Sequence, residues 1–384
     1  MVRFDLGAPS DIRFGAGRVT EVPDVVAGWQ ADQVLLVTGR SPGRALGLID
    51  ALRSRGIAVR TFGTDGEPSV EVVREGVARA ARCDAVIGYG GGSAIDVAKA
   101  VAILARTGAD PLDHLEVIGE GRPITVPGLP CVAIPTTAGT GSEVTRNAVL
   151  SAEGAKASLR SPLMLPKVAV VDPDLLDGVP SATVAASGMD ALAQVIEPFL
   201  SRKANPFTDA LARDGIVRSA RSLRRAYRDG MVDASVREDL AVTSLFGGLC
   251  LANAGLGAVH GFAAALGARL GAPHGAVCAA VLAPAVEVNL RAVRERAVDG
   301  PTLPRLSELA VLLTGNPTAQ PEAAIGWLAD LAADLQIPGL GAYGLTDADT
   351  GEVVIATQRA SSMKGNPIDL TDDEVAEILD RSRQ

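Results

Sequence analysis

The stretch Asp84-Ala-Val-Ile-Gly88-Tyr-Gly90-Gly91-Gly92-Ser93-Ala-Ile-Asp96-Val-Ala-Lys99 constrains this chain most. An apolar run too short for a helix ends in three consecutive glycines, and helical spacing follows at once. A short buried strand feeding straight into a helix belongs in a parallel sheet. The glycines let the backbone approach a ligand closely. A helix beginning near Ser93 would aim free N–H groups and a positive dipole end at an anion. The stretch therefore reads as a phosphate cradle, with a purely structural turn as the poorer reading. It is not the usual dinucleotide fingerprint, which follows the first strand of its fold. Nor is it a P-loop, because no Gly-Lys-Ser/Thr follows.

The flanking sequence repeats the pattern. Gln33-Val-Leu-Leu-Val37 predicts a buried strand, followed by the turn Thr38-Gly39-Arg40-Ser41-Pro42-Gly43. Residues 43–55 carry helical spacing, Ile57–Phe62 a second strand, and Val70–Ala81 a helix capped by Ser69. Further strands are expected at 130–135 and 166–171. Between them lies Thr136-Thr137-Ala-Gly139-Thr140-Gly141-Ser142-Glu143-Val-Thr145, dense in glycines and hydroxyls. Such a segment offers donors to a ribose, a pyrophosphate or an amide; a solvated loop is the even alternative. From about residue 180 long helical patterns take over: 182–200, 206–229, 234–254, 257–270, 275–290, 303–314 and 320–335. The expected organisation is an α/β dinucleotide-binding domain over 1–178 and an all-helical domain over 179–384.

Composition excludes several classes. The 384 residues carry a formal charge of −9 and no long basic block, which disfavours nucleic acid and anionic membranes as main partners. No apolar run reaches the roughly 18 residues of a membrane span. The start of the chain lacks the marks of a signal peptide. Cys83, Cys131, Cys250 and Cys278 are scattered in apolar contexts and read as reduced core residues of a cytoplasmic protein.

In the helical half, Asp190 and Gln194 stand four apart in an apolar helix, so they share a face. A carboxylate entering the interior needs a cation, a metal or several hydrogen bonds. His260 and His274, two of only three histidines in the chain, are the candidate partners. Together with Asp190 and Gln194 they form a plausible but atypical donor set for a divalent metal. For either histidine alone, a satisfied core residue is the commoner reading.

These motifs in this order resemble the iron-containing (group III) alcohol dehydrogenase family, within the dehydroquinate synthase-like superfamily. The resemblance spans nearly the whole chain. It includes Arg13-Phe14-Gly15, the glycine stretch, Pro135–Thr145, Asp172-Pro173, Gly188-Met-Asp-Ala-Leu192, Ala204-Asn-Pro206, Ala252–His260, Pro273-His274-Gly275 and Asn366-Pro367. It implies hydride transfer between a nicotinamide and an aldehyde or ketone, in a cleft between the two domains of a homodimeric enzyme. By motif matching, Gly91, Gly92 and Ser93 hold the pyrophosphate, and Gly39, Gly90, Asp96 and Thr140 also belong to the cofactor site. Thr136, Thr137 and Thr145 line the adenosine and ribose, Lys156 lies near the nicotinamide ribose, and Asp190, His260 and His274 are metal ligands.

Three departures stand out. The family's Asp-Ala-Leu-x-His ends here in Gln194. A histidine usual four residues after His260 is replaced by Ala264. The Asp that many members carry after the first strand is Gly39, followed by Arg40 and Ser41, which favours NADP over NAD. Three arrangements then fit: iron or zinc on Asp190, His260 and His274 with water; the same with Gln194 as a weak fourth ligand; or no metal. The last would mean a metal-independent reductase of an activated carbonyl, a conjugated keto acid or an imine. Beyond these stand a non-redox NAD-using cyclase or lyase and an inactive nucleotide-binding homologue.

Overall fold

The computed structural model describes residues 3–152 and 155–384. The chain divides into two compact units. One is Gly7–Asp177; the other is Gly178–Gln384 with the few residues ahead of Gly7.

The first unit is built on a sheet of β1 (Asp11–Phe14), β2 (Gln33–Thr38), β3 (Ala58–Gly63), β4 (Ala85–Gly90), β5 (Cys131–Pro135) and a last strand, Val168–Val171. An antiparallel hairpin, β6 (Asn147–Ala152) and β7 (Ala155–Arg160), intervenes, so the last strand is β8. Among the described residues the sheet runs β1-β8-β5-β4-β2-β3, with every neighbouring pair parallel. Helices α1 (Val22–Gly28), α2 (Leu46–Ser54), α3 (Val70–Arg79), α4 (Gly92–Leu104) and the short α5 (Pro111–His114) complete the unit.

Strand alternation sorts the apolar residues onto two faces. Leu35 and Val37 of β2 pack with Val70 and Val73 of α3 and with Val97, Val101 and Leu104 of α4. Val34 and Leu36 point the other way, onto Val22 and Val26 of α1 and Leu48, Ile49 and Leu52 of α2. Both faces are covered, so β2 must be apolar at nearly every position, which is what makes it readable as a continuous run. Ser69 caps α3 by accepting from the Val72 N–H at 3.3 Å. β2 lies between β4 and β3, so the strand order reverses direction there, and the turns after β2 and β4 open at the carboxyl edge where such sheets take ligands.

The second unit contains α6 (Ser181–Leu200), α7 (Pro206–Asp229), α8 (Ala234–Ala254), α9 (Ala258–Leu270), α10 (His274–Arg296), α11 (Thr302–Thr314), α12 (Pro321–Asp334), α13 (Thr350–Arg359) and α14 (Asp372–Arg381). Its axis is α6, buried on every side from Gly188 to Leu200 and packed against α7, α8 and α10. A helix apolar all round belongs in a core. Close approach requires glycine at two places. A Cβ on Gly188 would meet Leu223 Cδ1 at 2.2 Å, and one on Gly275 would meet the Ala186 carbonyl oxygen at 2.1 Å. The second contact brings the start of α10 onto the backbone of α6. Asn205 opens α7 with a full capping box closed by Thr208, with Pro206 in the first turn, which accounts physically for the Ala204-Asn-Pro206 motif. By length and composition α10 could cross a membrane, but 72% of its apolar window is buried inside the protein, as in a core helix.

Candidate active site

In the first unit the turns after β2, β4 and β5 converge. Gly91 is the N-cap of α4, and glycine there is a requirement of space. A Cβ on Gly90 would lie 3.2 Å from the Gly39 nitrogen, one on Gly91 3.2 Å from Thr137 Oγ1, and one on Gly92 2.6 Å from the Thr140 side chain. Gly39, Gly90–Gly92, Thr137 and Thr140 are thus one patch of backbone and hydroxyls. The free N–H groups of the first turn of α4, where Ser93 sits, belong to the same patch. Thr136 is buried beside it.

Other residues expected to touch the cofactor have partners within the protein. Asp96 Oδ1 accepts from the Ser142 hydroxyl, its Oδ2 accepts from the Val149 N–H at 2.9 Å, and it pairs with Lys99 at 3.0 Å. Lys99, fully buried, donates to the Ser142 carbonyl and to Thr145 Oγ1, both at 2.9 Å. Asp96 and Thr145 therefore clamp the threonine-rich segment to α4. Lys156 on β7 is ion-paired with Glu67 at 2.5 Å. Arg40 is exposed and paired with Asp65, which lies just beyond the end of β3; Ser41 beside it is exposed and begins the turn into α2.

In the second unit Asp190 sits mid-way along α6, 2% exposed. His260 Nε2 lies 3.2 Å from Asp190 Oδ1, and His274 Nε2 lies 3.7 Å from the same oxygen. His260 is in the first turn of α9, and His274 opens α10, which Gly275 allows against α6. The two rings are 5.5 Å apart. Two residues join them that sequence reading did not place in the site. Glu197 is seven residues after Asp190, on the same face of α6. It accepts from His260 Nδ1 at 2.6 Å and from the Val259 N–H at 2.7 Å. The i, i+7 spacing was the available signal. Cys278, expected to be an uninvolved core thiol, has its Sγ 3.9 Å from His260 Nε2. It follows His274 by four residues, one turn along the same face of α10, and that spacing was its signal. Asp190, His260, His274 and Cys278 each offer a donor atom, all within 4.8 Å of one another. Gln194 lies one turn after Asp190, buried, with its Cβ packed toward Gly247 of α8.

Burial opposes charge throughout the cluster, but the partners overcome it. Desolvation works against the Asp190 carboxylate, yet His274 and His260 hold its pKa below the ordinary value. Desolvation likewise opposes the His260 imidazolium, while Cys278, Asp190 and Glu197 raise its pKa well above normal. His274 is raised as well, against burial, by Cys278 and Asp190. Asp190, His260, His274 and Cys278 are so placed that they could hold a metal ion. His274 keeps 40% of its side chain accessible, so the cluster opens on that side. By contrast the thiols of Cys131 and Cys250 are pushed up to about 12 by burial and are plain core residues, as expected. Of the aromatic residues near these motifs, Tyr89, Phe199 and Phe262 are buried in the cores and Phe246 is partly exposed.

A parallel-sheet α/β unit with a glycine-lined turn at its carboxyl edge is thus joined to a helical unit whose buried donors could hold a metal. The chain belongs to the iron-containing alcohol dehydrogenase family: the family profile "Iron-containing alcohol dehydrogenase" matches residues 9–173, and "Fe-containing alcohol dehydrogenase family, C-terminal" matches 184–383. It is 35% identical to 1,3-propanediol dehydrogenase of Klebsiella pneumoniae over 98% of both chains. A solved 1,3-propanediol oxidoreductase superposes with a TM-score of 0.90 at 32% identity, covering 99% of this chain and 100% of the other. Sulfoacetaldehyde reductase from Bifidobacterium kashiwanohense, solved in complex with NAD+, superposes with a TM-score of 0.87 at 28% identity, covering 100% and 99%. The protein is an NAD(P)-dependent oxidoreductase of the alcohol dehydrogenase type.

Proposed function

We propose that this protein interconverts a small aliphatic alcohol and its aldehyde or ketone, with hydride carried by NADP or NAD and a divalent metal held by Asp190, His260 and His274. The observation that carries the reading is the buried convergence of these donors from three helices, with 3.2 and 3.7 Å separating the imidazoles from one carboxylate oxygen. A cation bound there supplies Lewis-acid polarisation of the carbonyl oxygen. The protein's own residues do the rest. Glu197 takes the Nδ1–H of His260, which fixes the tautomer and turns Nε2 toward the cluster. The half-open His274 leaves the substrate a way in. Gly39, Gly90–Gly92 and the start of α4 accept the pyrophosphate, with Thr136, Thr137 and Thr140 around it. Asp96, Lys99 and Thr145 hold that surface in shape.

For the 2′ position of the cofactor, Arg40 favours a phosphate, yet its pairing with Asp65 brings an acid beside the same turn. NADP stays slightly favoured, because Arg40 can exchange one anionic partner for another. The four cysteines are free and buried, which suits the reducing cytoplasm. A homodimer is the expected assembly, checked by sedimentation. The deciding experiment is oxidation of NADPH and NADH against a panel of short aldehydes and ketones, with metal content measured on the same protein. Turnover lost with chelator and restored by Fe(II) or Zn(II) supports the reading. Full turnover without metal overturns its metal part, leaving reduction of activated carbonyls or imines without a Lewis acid.

A further inference from the structure

We infer that Cys278 is the fourth protein ligand of the metal, and that its thiolate shifts the preference of this centre toward zinc. The inference rests on the reading of Asp190, His260 and His274 as ligands.

Three observations carry it. The thiol is fully buried, and its Sγ lies 3.9 Å from His260 Nε2, inside the group of four donors. Its place is fixed by the helix that supplies His274: the two residues are one turn apart on one face of α10. The donor separations also suit a tetrahedral centre. Metal–ligand lengths of about 2.0–2.1 Å for nitrogen or oxygen and 2.3 Å for sulfur put such donors about 3.3 Å apart, or about 3.6 Å where sulfur is one of the pair. Three of the six separations are 3.2, 3.7 and 3.9 Å, and all six are within 4.8 Å, so small side-chain shifts close the group around a cation. The imidazole that Gln194 replaces on α6 is thus answered by a thiol from α10.

The chemistry follows from the donor. On binding, a sulfur–metal bond forms as the S–H proton leaves to solvent. A thiolate would add an anionic ligand beside the Asp190 carboxylate, which a buried divalent cation needs more than a neutral amide. Thiolate is a soft donor that shifts preference toward zinc and away from iron.

The test is titration of the metal-free protein with Co(II), followed by competition with Zn(II). The expected result is a near-ultraviolet sulfur-to-cobalt charge-transfer band that grows in step with binding. In Cys278→Ala and Cys278→Ser the band should vanish while cobalt still binds through the other three donors. Zinc affinity should fall by more than the roughly 10–100-fold typical of losing an outer-shell partner. Gln194→Ala should keep the band, and far-ultraviolet circular dichroism should show each variant folded. Stoichiometric cobalt without the band in the wild type, or unchanged zinc affinity in Cys278→Ala, overturns the inference and leaves the three-ligand reading standing. A wild-type chain that binds neither metal overturns both.

Discussion

Glu143 should make the stability of this protein fall as pH rises toward neutrality, and Glu143→Gln should abolish that fall. The residue sits in the 3-10 turn Ser142–Val144, only 1% exposed, and its Oε1 has no hydrogen-bond partner among the described residues. Burial raises its pKa from 4.5 to about 7, against the smaller opposing pulls of its own backbone amide and Lys99. Lys99 is already engaged by Asp96, Ser142 and Thr145. The acid's folded-state pKa lies above its unfolded value, so the folded state holds the proton more tightly. That advantage is complete below pH 4.5 and is lost between 4.5 and about 7. A gap of roughly 2.5 pH units at 1.36 kcal/mol each is about 3.4 kcal/mol. Glutamine keeps the shape and cannot ionise. The wild type and Glu143→Gln should therefore be close at pH 4.5 and diverge above pH 7 by about 3 kcal/mol in favour of the variant. In melting temperature that is about 6–14 °C for a unit of this size. Taking the difference between the two proteins at each pH cancels every other titrating group. Urea unfolding followed by circular dichroism reads it. A difference that stays constant with pH, or grows in the other direction, refutes the argument.

Three further outcomes are expected. Glu197→Gln weakens the Nδ1 contact that orients His260, so metal affinity should drop about 10–100-fold by competition with a chromophoric chelator, while the fold persists. Gly275→Ala places a methyl 2.1 Å from the Ala186 carbonyl, pushing α10 off α6 and His274 from Asp190; it should cost about 1–3 kcal/mol in denaturant unfolding and lower metal affinity. Arg40→Ala should raise KM for NADPH several-fold and leave KM for NADH nearly unchanged, because only the phosphate needs the cation.

Glu197 and Asn366 also fix where α9 begins. The Gly257 N-cap brings the first amides of α9 onto Glu197 and Asn366, at 2.7 Å for Val259 N–H and 3.1 Å for Ala258 N–H. A Cβ on Gly257 would meet both side chains at 2.9 Å. Asn366 also donates to Asn289 Oδ1 at 2.8 Å, so the Asn366-Pro367 motif anchors the entry of α9, and with it His260.

Much of this protein was legible in its residues alone. Strands such as β2 and β4 are covered on both faces and so spell continuous apolar runs; α6 to α12 follow the helical period; the glycine turn names its own conformation. β1 was missed because, half-buried at the sheet edge, it has no apolar run. The β6–β7 hairpin was missed because its outward Val149 is as apolar as its buried neighbours Ala148 and Leu150, which hides the alternation of a half-buried strand. The helices α13 and α14 are short and largely polar, and their pattern was not singled out. In the site, Asp190, His260 and His274 were legible only as a set: a carboxylate in an apolar helix needs partners, and two of the chain's three histidines were the candidates. A cysteine among alanines and valines has no such need, and a glutamate says nothing of what it accepts. Cys278, Glu197 and the Arg40–Asp65 pair acquired their roles only through packing. Hydrophobic period acts between near neighbours in the chain, whereas a donor cluster depends on distances between helices up to 88 residues apart, as Asp190 and Cys278 are, and those distances exist only once α6, α9 and α10 have closed on one another.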